Sequence, residues 1–150
     1  MGFFATRSRS LKPGRTRWWF LACGVIAFWG TEFGRFVYRP YARQQGIQDW
    51  GLPDSVGNLG GVIVQICLGI AVMNATRRQG YRLAWFFAIV YVVHEFAQPY
   101  LPRGTFDWKD VLATGIGLMI GLGLIWMVWR LVGKGESPDS SDVESPVDGP

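Results

Sequence analysis

Four apolar runs, separated by a long loop with Arg39, Arg43 and Asp49, a tight basic loop and a turn around Arg103, decide most of what this chain can become. They lie near Trp18 to Val37, Val56 to Met73, Leu83 to Gln98 and Trp108 to Val132. A bilayer core asks for ~20 such residues per helical crossing, and the third run reaches that length only by continuing through Pro99 toward Leu101. Hydrocarbon offers no water to unsatisfied amides, so apolar runs of this length cross it as helices. The expected fold is an all-α membrane protein, a four-transmembrane-helix bundle over residues 18–132. Tryptophan placement agrees: Trp18, Trp19, Trp50, Trp85, Trp108, Trp126 and Trp129 fall mostly near the ends of the runs, where indole rings settle at the interface.

The flanks orient the bundle. Residues 1–17 form a basic arm with Arg7, Arg9, Lys12, Arg15 and Arg17 and no acid, which resists translocation. Arg17 stands too close to Cys23 for a signal-peptide apolar region of about 7–15 residues. The opening Met1-Gly2-x-x-x-Thr6 fits a myristoylation pattern, but a spanning protein gains little from an acyl chain. Arg77, Arg78 and Arg82 make the second turn basic as well. Both termini are therefore expected in the cytoplasm, in the inner (cytoplasmic) membrane, with the first and third turns outside. All 15 Lys and Arg precede Gly135, whereas five of the 11 acids, Glu136, Asp139, Asp142, Glu144 and Asp148, follow it. Residues 133–150, rich in Ser, Pro, Asp and Gly, read as a disordered acidic cytoplasmic tail. The basic body points to anionic lipid of the bilayer, and no nucleic-acid motif accompanies it.

Charges set into apolar runs are costly and mark functional sites. Glu32 and Glu95 each lie roughly 20 Å along their runs at 1.5 Å per residue, so both need partners inside the bundle. Each heads a pair at i, i+3: Glu32 with Arg35, Glu95 with Gln98. The following runs share a second spacing, Asp54-x3-Asn58-x2-Gly61 and Asp110-x3-Thr114-x2-Gly117. Offsets of four and seven fall on one helical stripe. The chain thus reads as two tandem helical hairpins in parallel repeat, each contributing Glu from its ascending helix and Asp with a small polar residue from its descending one. Asp54 and Asp110 also suit helix N-termini as caps. Gln65 reads as an interhelical hydrogen-bond partner, and Ala113, Gly117 and Gly121 as a close-packing face.

Cofactor signals are weak. His94 is the single histidine, and Cys23 and Cys67 are far apart in sequence, which suits small core residues better than haem or zinc ligation. A hard divalent cation such as Mg²⁺ is compatible with Glu95, Asp107 and Asp110, but three carboxylates at that spacing are no specific metal motif.

The run Glu95-x-x-Gln98, then Arg103, Asp107, Asp110, Thr114, Gly117 and Gly121, resembles the C-terminal motif of VanZ-like membrane proteins. That family shows E-x-x-Q, a short turn with Arg, then D-x3-N-x2-G-x3-G opening the last helix; here Thr114 stands where Asn is usual. The likeness covers the last third of the membrane region, and the first hairpin through the internal repeat. The family is named after an accessory protein of glycopeptide resistance, which implies envelope biology rather than resistance itself.

These readings converge on a polar pocket near the outer leaflet, walled by Glu32, Arg35, Asp54, Asn58, Glu95, Gln98, Arg103, Asp107, Asp110 and Thr114. Its expected occupant is an amphipathic lipid or lipid-linked glycan headgroup, such as an envelope precursor. Two other classes compete: an enzyme using Glu95 and Asp110 as acid and base, and a structural partner of a larger membrane complex. Pro99 and Pro102 end the third helix and Gly104 lets the backbone reverse, which would carry Arg103 over Glu95 and Asp110.

Overall fold

A computed structural model of the chain describes residues 14–47, 52–102 and 104–132, with the backbone alone for residues 52–54. The described elements are all helical: α1 (Arg15–Gln44), α2 (Leu52–Met73), α3 (Arg77–Ala97) and α4 (Trp108–Leu131), with a 3₁₀ turn at Gln98–Tyr100 closing α3. Three stretches, Arg15–Gln44, Ser55–Met73 and Trp108–Leu131, are long and apolar enough to cross a membrane.

Helix α1 runs past the expected end at Val37. Arg39 and Arg43, read from the sequence as loop residues, are helical instead. Pro40 has no N–H to donate and its ring crowds the carbonyl one turn back. The backbone absorbs this by widening into a π-turn over Gly34–Tyr38 rather than breaking. Within that turn Gly34 lies against α2, where an added Cβ would stand 2.8 Å from Val56 Cγ1. The helix closes at Gly46, whose φ of +62° lets Ile47 N–H reach back to the Ala42 carbonyl at 3.0 Å.

The third helix also differs from expectation. It gains its length upstream, through Arg77, Arg78 and Arg82, and not downstream through Pro99. Only Asn74, Ala75 and Thr76 remain between α2 and α3. Asn74 adopts φ 47° and Ala75 N–H bonds the Ile70 carbonyl at 3.0 Å, closing α2. Thr76 then opens α3 with a reciprocal cap: its hydroxyl accepts from Gln79 N–H at 3.4 Å, and Gln79 Oε1 accepts from Thr76 N–H at 2.8 Å. The Thr76→Ala protein is expected to lose about 1 kcal/mol of stability, read as a lower midpoint in detergent unfolding, with Thr76→Asn close to wild type.

Packing makes α2 the hub. It lies along α1, α3 and α4, whereas α1 touches α4 only lightly and makes no substantial contact with α3. Phe20, Val62, Ile66, Cys67, Ile70, Ala84, Ala88 and Ile125 form the buried core. Small residues bring the backbones together. Ala113, Gly117 and Gly121 are all buried on α4, and a Cβ at Gly117 would stand 2.6 Å from the Leu59 carbonyl oxygen of α2. The exterior is strongly apolar: Trp18, Ile26, Trp29, Phe36, Val72, Trp85, Phe86, Ile89 and Met119 are among the large exposed side chains. Such a surface fits lipid rather than water.

Candidate ligand site around Glu95

Glu95 is 1% exposed, in the last turn of α3. Both of its described hydrogen bonds fall on one oxygen. Asn58 Nδ2, from α2, donates to Oε1 at 3.0 Å, and Gln98 Nε2, one turn along, donates to the same atom at 2.7 Å. The second oxygen, Oε2, is buried and has no hydrogen-bond partner among the described residues. His94 Nδ1 stands 4.0 Å from Oε1, but its side chain is exposed.

The facing helix brings two more orphaned oxygens. Asp110 and Thr114 sit one turn apart on α4, and Asp110 Oδ1 and Thr114 Oγ1 are both buried without a hydrogen-bond partner among the described residues. Asp110 is within electrostatic reach of Glu95, as is Asp107. A buried polar atom left unpaired costs on the order of 1–3 kcal/mol, so three such oxygens on one helix pair are a concentrated expense. Asp107 has a separate task. Its Oδ1 accepts from Lys109 N–H at 2.9 Å as the N-cap of α4, the role the sequence suggested for Asp110, which lies in the first turn instead.

Local structure fixes this end of the bundle. The turn after α3 folds back on itself, with Leu101 N–H bonding the Gln98 carbonyl at 2.9 Å and Gly104 N–H bonding the Leu101 carbonyl at 3.0 Å. Gly104 packs so closely on the Gln98 carbonyl that a side chain there would collide with backbone. Phe96 and Phe106 stack across the turn, ring centroids 5.3 Å apart. An apolar groove of about 300 Å³ opens between α3 and α4 and reaches the cluster at Thr114; Trp85, Ala88, Val92, Val111 and Leu118 are among its other lining residues.

The residues expected to wall one pocket divide into sets. Asn58, Glu95 and Gln98 are joined by hydrogen bonds, with Asp110 and Thr114 on the facing helix. Glu32 pairs instead with Arg35 along α1 at 3.4 Å, where the Arg35 side chain is 52% exposed. Among the described residues no hydrogen bond links that pair to Glu95. Both i, i+3 pairs thus form, and each spans a change of helix type: Arg35 lies within the π-turn of α1, and Gln98 opens the 3₁₀ turn after α3. The Asp54 side chain and Arg103 lie outside the described residues, as do the N-terminal arm and the acidic tail. No group of three or more His, Cys, Asp or Glu among the described residues gathers as a metal centre would.

Sequence reasoning missed Tyr91. Its hydroxyl lies against Gly61 and accepts from Gln65 Nε2 at 3.5 Å, so Gln65 does bond across helices. A Tyr one turn before Glu95 on the same face is the signal that points to it.

The VanZ/LLP1 family model matches residues 4–130. No curated protein and no solved structure matches the chain.

Proposed function

The chain belongs to the VanZ/LLP1 family, and from that premise we propose that this membrane protein works in the cell envelope by binding the headgroup of an amphipathic ligand, a lipid or a lipid-linked glycan. The observation that carries this reading is the set of buried oxygens without a partner among the described residues, Glu95 Oε2, Asp110 Oδ1 and Thr114 Oγ1, the last of them on a residue that lines an apolar groove. A headgroup rich in O–H or N–H donors would satisfy the oxygens, and a hydrocarbon chain would fill the groove.

In this reading α3 is a fourth span. Its arginines cluster in its first turns, while Trp85, Phe86, Ile89, Val90, Val93 and Phe96 are exposed along the rest. That distribution suits a helix with lipid on one side and Glu95 turned inward. With both termini cytoplasmic, the Glu95 end lies toward the outer leaflet, where envelope precursors are handled.

Glu95→Gln tests the proposal because it preserves the framework. The Gln carbonyl oxygen still accepts from Asn58 and Gln98, while the other position changes from acceptor to donor. Wild-type protein extracted in mild detergent is expected to carry co-purifying lipid by native mass spectrometry, and Glu95→Gln about tenfold less. Its thermal midpoint should stay close to wild type. Equal lipid complements in both proteins would sink the reading. Conversion of the bound lipid by wild type alone would make the protein an enzyme.

A further inference from the structure

The site's charge narrows the ligand further. Glu95 and Asp110 are carboxylates on packed helices, and the groups described around them bring no cation into the buried cluster. His94 is exposed and nearest the oxygen that is already doubly bonded. Lys109 lines a different groove, between α2 and α4 with Val56 and Leu112. Negative charge that Asn58 and Gln98 offset only by neutral amide donors calls for a positively charged occupant. The three unpaired oxygens call for three donors.

We propose that the headgroup selected here is a primary ammonium carried on a lipid, its N–H bonds directed to Glu95 Oε2, Asp110 Oδ1 and Thr114 Oγ1, and its chain laid along the α3–α4 groove. This rests on the amphipathic-ligand reading above and names its chemistry. A primary ammonium supplies three donors and one positive charge in a volume that two facing helices can enclose. A quaternary ammonium has the charge without the donors, and a glycerol headgroup has donors without the charge. The groove supplies the tail's place. Ala88 and Val92 precede Glu95 by seven and three residues, so the lining runs on the order of 10 Å down the helix from the carboxylate at 1.5 Å per residue.

The experiment uses full-length protein, delipidated in detergent and titrated with three dioleoyl lipids of equal chain: phosphatidylethanolamine, phosphatidylcholine and phosphatidylglycerol. Wild type is expected to bind phosphatidylethanolamine at least about tenfold more tightly than either of the others, as loss of charge-assisted hydrogen bonds implies. Both Glu95→Gln and Thr114→Val should erase that preference. Thr114→Val keeps the side-chain shape and removes a hydroxyl that bonds none of the described residues, so its folding is a control for the first variant. Equal binding of phosphatidylcholine would overturn the proposal, because the donors would then be irrelevant. A Glu95-dependent preference for phosphatidylglycerol would overturn the ammonium while leaving the amphipathic reading intact. Absence of any Glu95-dependent lipid would remove both. Free ethanolamine competing as strongly as the lipid would overturn the lipid assignment. Ethanolamine-lipid binding that appears only in Arg103→Gln would show the chain's own guanidinium in the site, and would overturn it too.

Discussion

Gly117→Val is expected to be recovered folded at a small fraction of wild-type yield, while Gly115→Val on the same helix is recovered at the wild-type yield. At Gly117 an added Cβ would stand 2.6 Å from the Leu59 carbonyl oxygen. Backbone cannot swing aside as the tip of a side chain can, so α4 would have to move off α2 along its length. Overpacking of this kind costs about 3 kcal/mol or more, a large part of a marginal stability. Gly115 has nothing within 4 Å of its added Cβ, and a Val there meets only open space. Fluorescence-detected size-exclusion of the two variants, extracted in parallel, checks the contrast. Equal recovery would mean that α2 and α4 do not pack at this glycine.

The second large effect is expected at Asn58. Asn58→Leu removes the only described donor that reaches Glu95 from another helix, leaving a buried carboxylate with Gln98 alone. Stranding a buried charge costs about 2 kcal/mol or more. Replacing both members, Asn58→Leu with Glu95→Met, should return most of that loss, because the buried carboxylate is gone and only the half-buried Gln98 amide gives up its acceptor. A double-mutant cycle on unfolding midpoints measures the coupling. Additive losses would show that the Asn58–Glu95 bond does not join α2 to α3.

Much of this arrangement is legible in the sequence, and the parts that are not have identifiable causes. Long apolar runs declare α1, α2 and α4 because lipid-length helices leave a signal in every residue. The ends are harder, since they depend on single caps. Thr76 and Gln79 start α3 a turn and a half before its apolar run, and Pro40 bends the expected stop into a π-turn. A carboxylate embedded among Val93, Phe96 and Ala97 has to find partners, and its spacing to Gln98 supplies one of them. That Asn58 is the other follows from helix packing, which no local pattern encodes. Glu32 shows the converse. The same spacing puts Arg35 beside it, and a charged partner at hand lets the pair remain partly exposed on α1.

The hub has a consequence for how the protein is made. Synthesis delivers the helices in order, and α1, α2 and α4 are each apolar enough to enter lipid on their own account. On the four-span reading α3 is different, since it carries three arginines at one end and a carboxylate near the other. It would leave the insertion machinery poorly suited to lipid until Glu95 met Asn58, already waiting in α2. Completing the bundle is therefore an act of recognition between helices rather than a fourth independent partitioning. A failure at Asn58 would appear first as α3 left on the wrong side of the membrane, before any ligand had a site to enter.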